Sequence, residues 1–332
     1  MLSYIIKDYS HLNLADVKKV LAISHTDLDG VGSYLIVQEL FKDAEVTKIL
    51  TSYDDLDEKL SKLINNSNSE AYDLIFITDL CLKNMGLADK LNDKFGNKLV
   101  FLDHHKTSIE SGMDKYDWAS IVIADENGKV QSGTSLLMQF IDNTNLSKTI
   151  SSELYENIVK FSETVRSYDS WEWSKNNNIL AYNLNELLYL YGRAEFTHQF
   201  SERKLNPLLN SNDLGVLKGA SLKYEQLKRS TMSKLKEITL KDSEGTEFNF
   251  KLTFSTESVS QLGNDISEQY PEFHGVMLVN INMGSVSFRT CRDDIDLTKI
   301  AKIYEGGGHA KACGCKLTPQ LFKLVAKSLA LL

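Results

Sequence analysis

Short apolar runs recur along the first half of the chain at residues 20–23, 46–50, 74–77 and 99–102, separated by polar, helix-compatible stretches such as 55–64 and 85–91. After the first run, Val31, Leu35 and Leu40 mark one stripe of a helix, completing a strand–helix unit. Continuously apolar strands alternating with helices predict an α/β fold with a mostly parallel sheet covered on both faces. A longer helix is expected after Ser151 or Ser152, either of which can cap it, with Leu154, Ile158, Phe161 and Val165 at helical spacing. That helix delivers Arg166 and Asp169 at its far end. The pattern then breaks at Pro207 and a polar loop, followed by a charged, helix-like stretch from 216 to 238. Beyond it strands dominate, at 248–254, 275–281 and 286–289, with helices around 297–303 and 318–332. The expected organisation is an α/β domain over 1–205, a helical linker over 206–237 and a smaller α/β domain over 238–332.

Composition adds limits. The chain has 332 residues, enough for about two domains, and its 42% apolar and 25% charged residues suit a folded protein. No stretch approaches 18 uncharged apolar residues, and the N-terminal run within 1–20 is interrupted by Lys7 and Asp8. Neither a membrane span nor a secretory signal is therefore expected, and a cytoplasmic location follows. Four cysteines in a chain this long do not make a disulfide framework. The net charge of −8 has the wrong sign for holding a long duplex along a basic groove. Any nucleic-acid partner is expected to be short.

The residues able to carry chemistry fall at the ends of the apolar runs. In SHTDLDGVGS, His25, Asp27 and Asp29 alternate, and in an extended segment such positions share a face, so one imidazole and two carboxylates can converge. A divalent cation would relieve their repulsion, and Gly30 and Gly32 let a helix N-terminus approach bound anions. An Asp-rich turn capping a helix would look the same. Asp79 follows the run at 74–77, and Asp103, His104 and His105 follow the run at 99–102. Ligand sites in open α/β sheets form where strands end in this way, so three strands would aim polar termini at one place. Asp169 ends the long helix, where the macrodipole disfavours a carboxylate unless a cation accompanies it; a loop aspartate beside packed Trp171 and Trp173 is the plainer alternative. Cys313 and Cys315 with His309 lack a fourth ligand at zinc-site spacing and read as buried thiols. The segment 132–135 reads as the cap of a helix beginning at Leu136, and Tyr182, Tyr189, Tyr191 and Phe196 read as core.

Taken in order, His25-Thr-Asp27-Leu-Asp29-Gly30, Asp79, Asp103-His104-His105 and Asp169 resemble the four motifs of the DHH phosphoesterase superfamily. EGGGHAKACGC, with Gly306, Gly307, Gly308, His309, Ala312 and Gly314, resembles the GGGH signature of the DHH-associated C-terminal domain, and together the two domains span nearly the whole chain. The resemblance implies a cleft between the domains and two divalent ions, Mn²⁺ before Mg²⁺, Co²⁺ or Fe²⁺. His25, Asp27 and Asp79 would hold one ion, and Asp29, Asp79, His104 and Asp169 the other. His105 would face the scissile phosphate, Asp103 would support the histidines, and the segment 132–135 would lie near the site. Arg289, with Gly307, Gly308 and His309, would grip a substrate phosphate; Arg166 is a weaker candidate for such contacts, an ordinary surface ion pair being the plainer reading.

The activity so implied is a two-metal phosphodiesterase, in which a hydroxide shared by the ions releases mononucleotides from short RNAs or linear dinucleotides. This is the oligoribonuclease or nano-RNase branch. A phosphatase acting on 3′-phosphoadenosine 5′-phosphate and a RecJ-like single-strand exonuclease are the alternatives within the superfamily. The His-x-Asp-x-Asp spacing of the first motif is closer to the RecJ-like pattern than to the His-x₃-Asp-x-Asp of many nano-RNases. From another class, a non-catalytic nucleotide sensor is the competing reading, against which the complete set of ligand positions counts. The expected partners are a short RNA or dinucleotide, with neither long duplex nor membrane, and a homodimer is left open.

Overall fold

In the computed structural model the described residues are 6–329, and they fall into two compact units, Met1–Leu217 and Lys218–Leu332. The first five residues of the N-terminal stretch and the last three of the helix expected over 318–332 lie outside the described residues. The first unit carries five strands: β1 (Lys19–Ser24), β2 (Glu45–Leu50), β3 (Leu74–Thr78), β4 (Leu99–Asp103) and β5 (Ala119–Ile121). They form one parallel sheet in the order β2-β1-β3-β4-β5. All residues of β3 and β4 are buried, as the apolar runs require of a sheet covered on both faces.

Alternation along the strands sorts their side chains into two cores. Val20, Ala22, Phe76, Val100 and Leu102 join one cluster with α1 (Leu28–Leu40), the helix Gly133–Asn143 and the long helix Ser152–Asp169. Leu21, Ile23, Ile75, Ile77, Leu99 and Phe101 join the other with α2 (Tyr53–Asn65) and α3 (Met85–Phe95). Phe76 sits at the centre of the first cluster, its ring 5.9 Å from Phe41 and 5.4 Å from Phe140. Ser151 caps the long helix by accepting from Leu154 N at 3.2 Å, and Leu154, Ile158, Phe161 and Val165 form its buried face. A helix over Ile179–Glu202, interrupted at Gly192 (φ 73°, ψ 159°), adds Leu184, Leu187, Phe196 and Phe200 to the same core.

The connection differs from the expected linker over 206–237. A helix covers Ser211–Met232, and the division between units falls inside it. Its first turns are tied to the first unit because Asp213, fully buried, accepts from both terminal nitrogens of Arg203 at 2.7 and 3.0 Å and from Tyr191 Oη at 2.9 Å. Leu209, Val216 and Leu217 pack on the first core as well. The helix stops before 238 because those residues pair into a strand.

The second unit contains β6 (Lys236–Lys241), β7 (Glu247–Phe254), β8 (Gly275–Asn280), β9 (Ser285–Arg289), β10 (Gly307–His309) and β11 (Ala312–Lys316). Its sheet runs β10-β11-β9-β8-β7-β6, antiparallel except for β7 beside β8. Helices Thr298–Ile303 and Pro319–Ser328 cover one face, around Phe250, Phe288 and Leu321, and Val259–Gln269 covers the other, around Leu262 and Ile266. Among the described residues, no helix is long and apolar enough to cross a membrane. Truncating the central ring by Phe76→Ala is expected to lower the stability of the first unit by about 3–5 kcal/mol, read from the shift of its urea transition. A loss below about 1 kcal/mol would show that Phe41 and Phe140 do not form the packed core described here.

Candidate metal centre

Every motif of the first unit ends at the carboxyl edge of its parallel sheet. His25 follows β1, Asp79 follows β3, Asp103 closes β4 with His104 and His105 next, and Asp169 ends the helix Ser152–Asp169. Three overlapping groups bring candidate ligand atoms within 4.8 Å of one another: His25, Asp27 and Asp79; Asp29, His104 and Asp169; and Asp79, Asp103, His104 and His105. Strands that neighbour one another in the sheet thus gather residues up to 144 positions apart, from His25 to Asp169.

Local rules fix each side chain. Asp27 caps α1, its Oδ1 accepting from Gly30 N at 3.0 Å, while its Oδ2 lies 2.8 Å from His25 Nδ1. Gly30 is needed at this turn because a Cβ there would come within 2.3 Å of the His25 carbonyl oxygen. Asp29, 1% exposed, is received by the N-terminus of the helix Gly133–Asn143: Gly133 N donates to Oδ2, and Thr134 N and Oγ1 donate to Oδ1 at 3.0 and 2.8 Å. A helix N-terminus carries partial positive charge, so this pairing stabilises the carboxylate. The segment 132–135 therefore does more than the cap expected of it, and its helix starts at Gly133 instead of Leu136.

Asp79 carries the strain of the site. It is 2% exposed and adopts φ 56°, a region that non-glycine residues rarely occupy. One oxygen, Oδ1, lies 3.3 Å from His104 Nε2, whereas Oδ2 is buried without a hydrogen bond, 3.8 Å from His25 Nδ1. His25 Nδ1 is likewise buried and makes no hydrogen bond, its contact with Asp27 Oδ2 being an ion-pair approach. Orphaned polar atoms this deep are costly, and two of them facing each other within a set of carboxylates and imidazoles suit a divalent cation. His104 Nε2 also lies 3.7 Å from Asp169 Oδ2 and 4.0 Å from Asp29 Oδ2.

Electrostatics point the same way. Burial, followed by repulsion from Asp29 and Asp27, pushes Asp79 well above the ordinary carboxylate range and Asp169 up to about 8. Burial lowers the His104 imidazole, which disfavours its cation and leaves a neutral ligand nitrogen. His105 behaves oppositely. Burial would lower it, but the hydrogen bond and charge of Asp103 outweigh that and raise it. Its Nδ1 lies 2.7 Å from Asp103 Oδ1, and Asp103, fully buried, also accepts from Ser108 Oγ at Oδ2.

The residues expected to contact substrate fare differently. Arg166 is buried, and all its donors are engaged: Glu163 receives Nε and Nη2 at 2.9 and 2.8 Å, Glu172 receives Nη1 and Nη2 at 3.0 and 2.6 Å, and the Val130 carbonyl receives Nη1 at 2.9 Å. No donor is left for a phosphate, so Arg166 is a structural ion pair. Trp171, expected to pack, is 68% exposed. Of the aromatic residues expected in the core, Phe196 is buried and Tyr189 is 67% exposed. In the second unit Arg289, Ala312 and His309 pair directly across β9, β11 and β10, so the arginine and histidine share one face of the sheet. Arg289 Nη2 donates to Ser260 Oγ at 2.9 Å. Gly307 and Gly308 are strand residues and not a free turn; a Cβ at Gly308 (φ 136°) would come within 2.7 Å of the Ala312 carbonyl oxygen and Cys313 Cα. Cys313 is buried, with Sγ 3.3 Å from the Leu297 carbonyl, and all four cysteines are free. Ser108 and Tyr53 are the site residues that sequence reasoning passed over, while Thr134 lies in the segment that the resemblance places near the site.

Residues 19–160 match the model of the DHH family, N-terminal domain. Oligoribonuclease NrnB of Bacillus subtilis (strain 168) is 30% identical over 310 residues, which are 91% of this chain and 73% of that protein. Among solved structures, the DHH domain of a protein described as a member of a family of ribosomal proteins is similar with a TM-score of 0.51 at 16% identity, over 97% of this chain and 87% of that one. The pGpG-specific phosphodiesterase PggH from Vibrio cholerae gives a TM-score of 0.49 at 14% identity, over 94% and 97%.

A carboxyl whose pKa is raised by folding contributes stability below its unfolded pKa and loses it as pH rises through the folded value. For Asp169 that window runs from the ordinary carboxyl value of 3.8 to about 8. In the presence of a chelator, Asp169→Asn is therefore expected to melt increasingly above the parent as pH is raised from about 5 to about 9. Adding Mn²⁺ should narrow or reverse the difference by stabilising the parent more than the variant, which keeps His25, Asp27 and Asp79. A pH-independent difference in Tm would contradict the raised carboxyl.

Proposed function

This chain belongs to the DHH family, and we propose that it is a metal-dependent phosphodiesterase that releases mononucleotides from short oligoribonucleotides or linear dinucleotides. One observation carries the reading: acids and imidazoles from three strand ends and a helix end surround two buried polar atoms, His25 Nδ1 and Asp79 Oδ2, that the protein leaves without a hydrogen bond. The choice of a short substrate is supported by the 30% identity to an oligoribonuclease and by the net charge of −8. A cytoplasmic location belongs to the same reading and agrees with the four free cysteines.

In this proposal His25, Asp27 and Asp79 hold one divalent cation, Mn²⁺ being the preferred ion, and Asp29, Asp79, His104 and Asp169 hold a second. The pair supplies Lewis-acid activation of water and neutralises charge on the phosphoryl group. The protein supplies the rest. Asp29 is fixed by a helix N-terminus and Asp79 by its backbone, so the ligand set is built before substrate arrives. Asp103, itself held by Ser108, anchors His105 at Nδ1 and leaves Nε2 to donate a hydrogen bond to a phosphoryl oxygen as negative charge develops. Arg289 and His309, on one face of the second sheet beside the Gly307 and Gly308 amides, bind a terminal phosphate.

The deciding experiment is a time course with Mn²⁺ on labelled RNAs from the dinucleotide to about twenty residues, beside 3′-phosphoadenosine 5′-phosphate. Mononucleotide release should be fastest for the shortest RNAs. Preference for the long strands, or for the bisphosphate nucleotide, would overturn the substrate assignment, and binding with no products would make the chain a sensor. Asp79→Ala should reduce hydrolysis to background while the protein keeps its circular dichroism. Arg289→Ala should raise KM about tenfold for a dinucleotide with a terminal phosphate and leave a small generic phosphodiester unchanged. Equal effects on both substrates would remove Arg289 from recognition.

A further inference from the structure

Tyr53 belongs to none of the motifs, yet it touches two of them. It is the first residue of α2, behind the cap Ser52, whose Oγ accepts from Asp55 N at 3.3 Å. The Tyr53 ring lies over His25, with centroids 4.4 Å apart and planes 31° apart, and meets His105 edge to face at 5.7 Å and 79°. Its hydroxyl is 3.3 Å from His105 Nε2. The residue remains 40% exposed, so a hydroxyl with water available is instead directed at an imidazole.

Building on the phosphodiesterase reading, we infer that Tyr53 is a positioning residue for His105, holding the imidazole at Nε2 until a substrate phosphoryl oxygen takes that place. Asp103 anchors His105 only at Nδ1, and a ring fixed at one nitrogen can still swing about that bond. The Tyr53 hydroxyl supplies the second point, the edge of its ring limits the swing, and His104, with centroids 4.3 Å away, closes another side. A distance of 3.3 Å is at the long end for a hydrogen bond, so exchange for a charged phosphoryl oxygen sacrifices little. Because Tyr53 is partly exposed, its released hydroxyl passes to water without being stranded. Preorganisation of this kind affects the rate of the chemical step more than substrate affinity.

The test uses Tyr53→Phe, which keeps the ring, and Tyr53→Leu, which removes it. With Mn²⁺ and a dinucleotide, Tyr53→Phe should lower kcat about tenfold, the size of one hydrogen bond, with KM and Mn²⁺ affinity within about twofold of the parent. Tyr53→Leu should lower kcat further. In metal-free, ¹⁵N-labelled protein, Tyr53→Phe should shift the Nε2 resonance of His105 and leave Nδ1 in place. An unchanged kcat with an unchanged Nε2 resonance would overturn the inference, as would an effect confined to KM, which would make Tyr53 a substrate contact. Should the parent cleave no phosphodiester at all, the functional reading fails, while the nitrogen resonances of the metal-free protein still decide whether Tyr53 holds His105.

Discussion

Four carboxylates that repel one another, two of them shut away from water, are the constraint around which the first unit is built. Asp29 and Asp79 are almost fully buried, and Asp27 and Asp169 complete the set at its edge. Charges so placed would spread apart in a soft structure, because each gains by escaping to solvent. They are held because they sit at the ends of three rigid elements, Asp27 and Asp29 at the start of α1, Asp79 after β3 and Asp169 at the end of the helix Ser152–Asp169, and those elements are locked by cores on both faces of the sheet. The fold also compensates selectively. Asp29 receives three hydrogen bonds from a helix N-terminus, while Asp79 is left with an orphan oxygen and an unfavourable backbone angle. The residue with the least compensation is the one at the centre, where an added positive charge would act on most neighbours at once.

What the sequence disclosed follows from the range of the interactions concerned. Strand positions were legible because a sheet covered on both faces demands continuous apolar runs, and the runs at 20–23, 74–77 and 99–102 fall inside β1, β3 and β4. His25, Asp79 and Asp103 to His105 were legible because each follows such a run, and Asp169 because it ends a long helix. Thr134 was reached only through the resemblance, since its role depends on Asp29, 105 residues away, and nothing local to the segment 132–135 says which carboxylate its helix will meet. Tyr53 was hidden for the same reason, for its partners His25 and His105 are placed by other strands. Arg166 differs in the opposite sense, being a buried ion pair where a surface one was the plainer expectation. An arginine beside a motif invites an anion, but Glu163 and Glu172, within six residues of it, and the Val130 carbonyl consume every donor. The connecting helix was misplaced because capping by Asn210 and the buried Asp213 pair outweigh the loop propensity of the residues around Pro207.

The second unit shows how one composition can have two physical meanings. Three consecutive glycines read as flexibility, and flexibility would weaken any claim that their amides bind an anion, because ordering them on binding costs conformational entropy. In the structure they are an ordered edge: Gly307 pairs with Gly314 and Gly308 with Cys313. Glycine is required there by close backbone approach, since any Cβ at Gly308 would strike the neighbouring strand. The amides are therefore held before a ligand arrives, and Arg289 and His309 share a face of that same ordered sheet. The entropic objection to a phosphate site at this edge thereby loses its force.

Charge sets the sequence of events that the proposed chemistry must follow. A phosphodiester is an anion, and the net charge of −8 with a carboxylate cluster at the motif ends opposes its approach. The raised Asp79 and Asp169 carboxyls show that the protein without counter-charge relieves its repulsion by keeping protons. Protons neutralise the acids but leave no excess of positive charge to attract a phosphate. Divalent cations do both, so on this reading metal binding displaces protons first and creates the attraction for substrate second. Substrate affinity should then carry the pH dependence of the metal ligands even where the substrate itself has no titrating group, a coupling that follows from the burial of Asp79 and requires no conformational change.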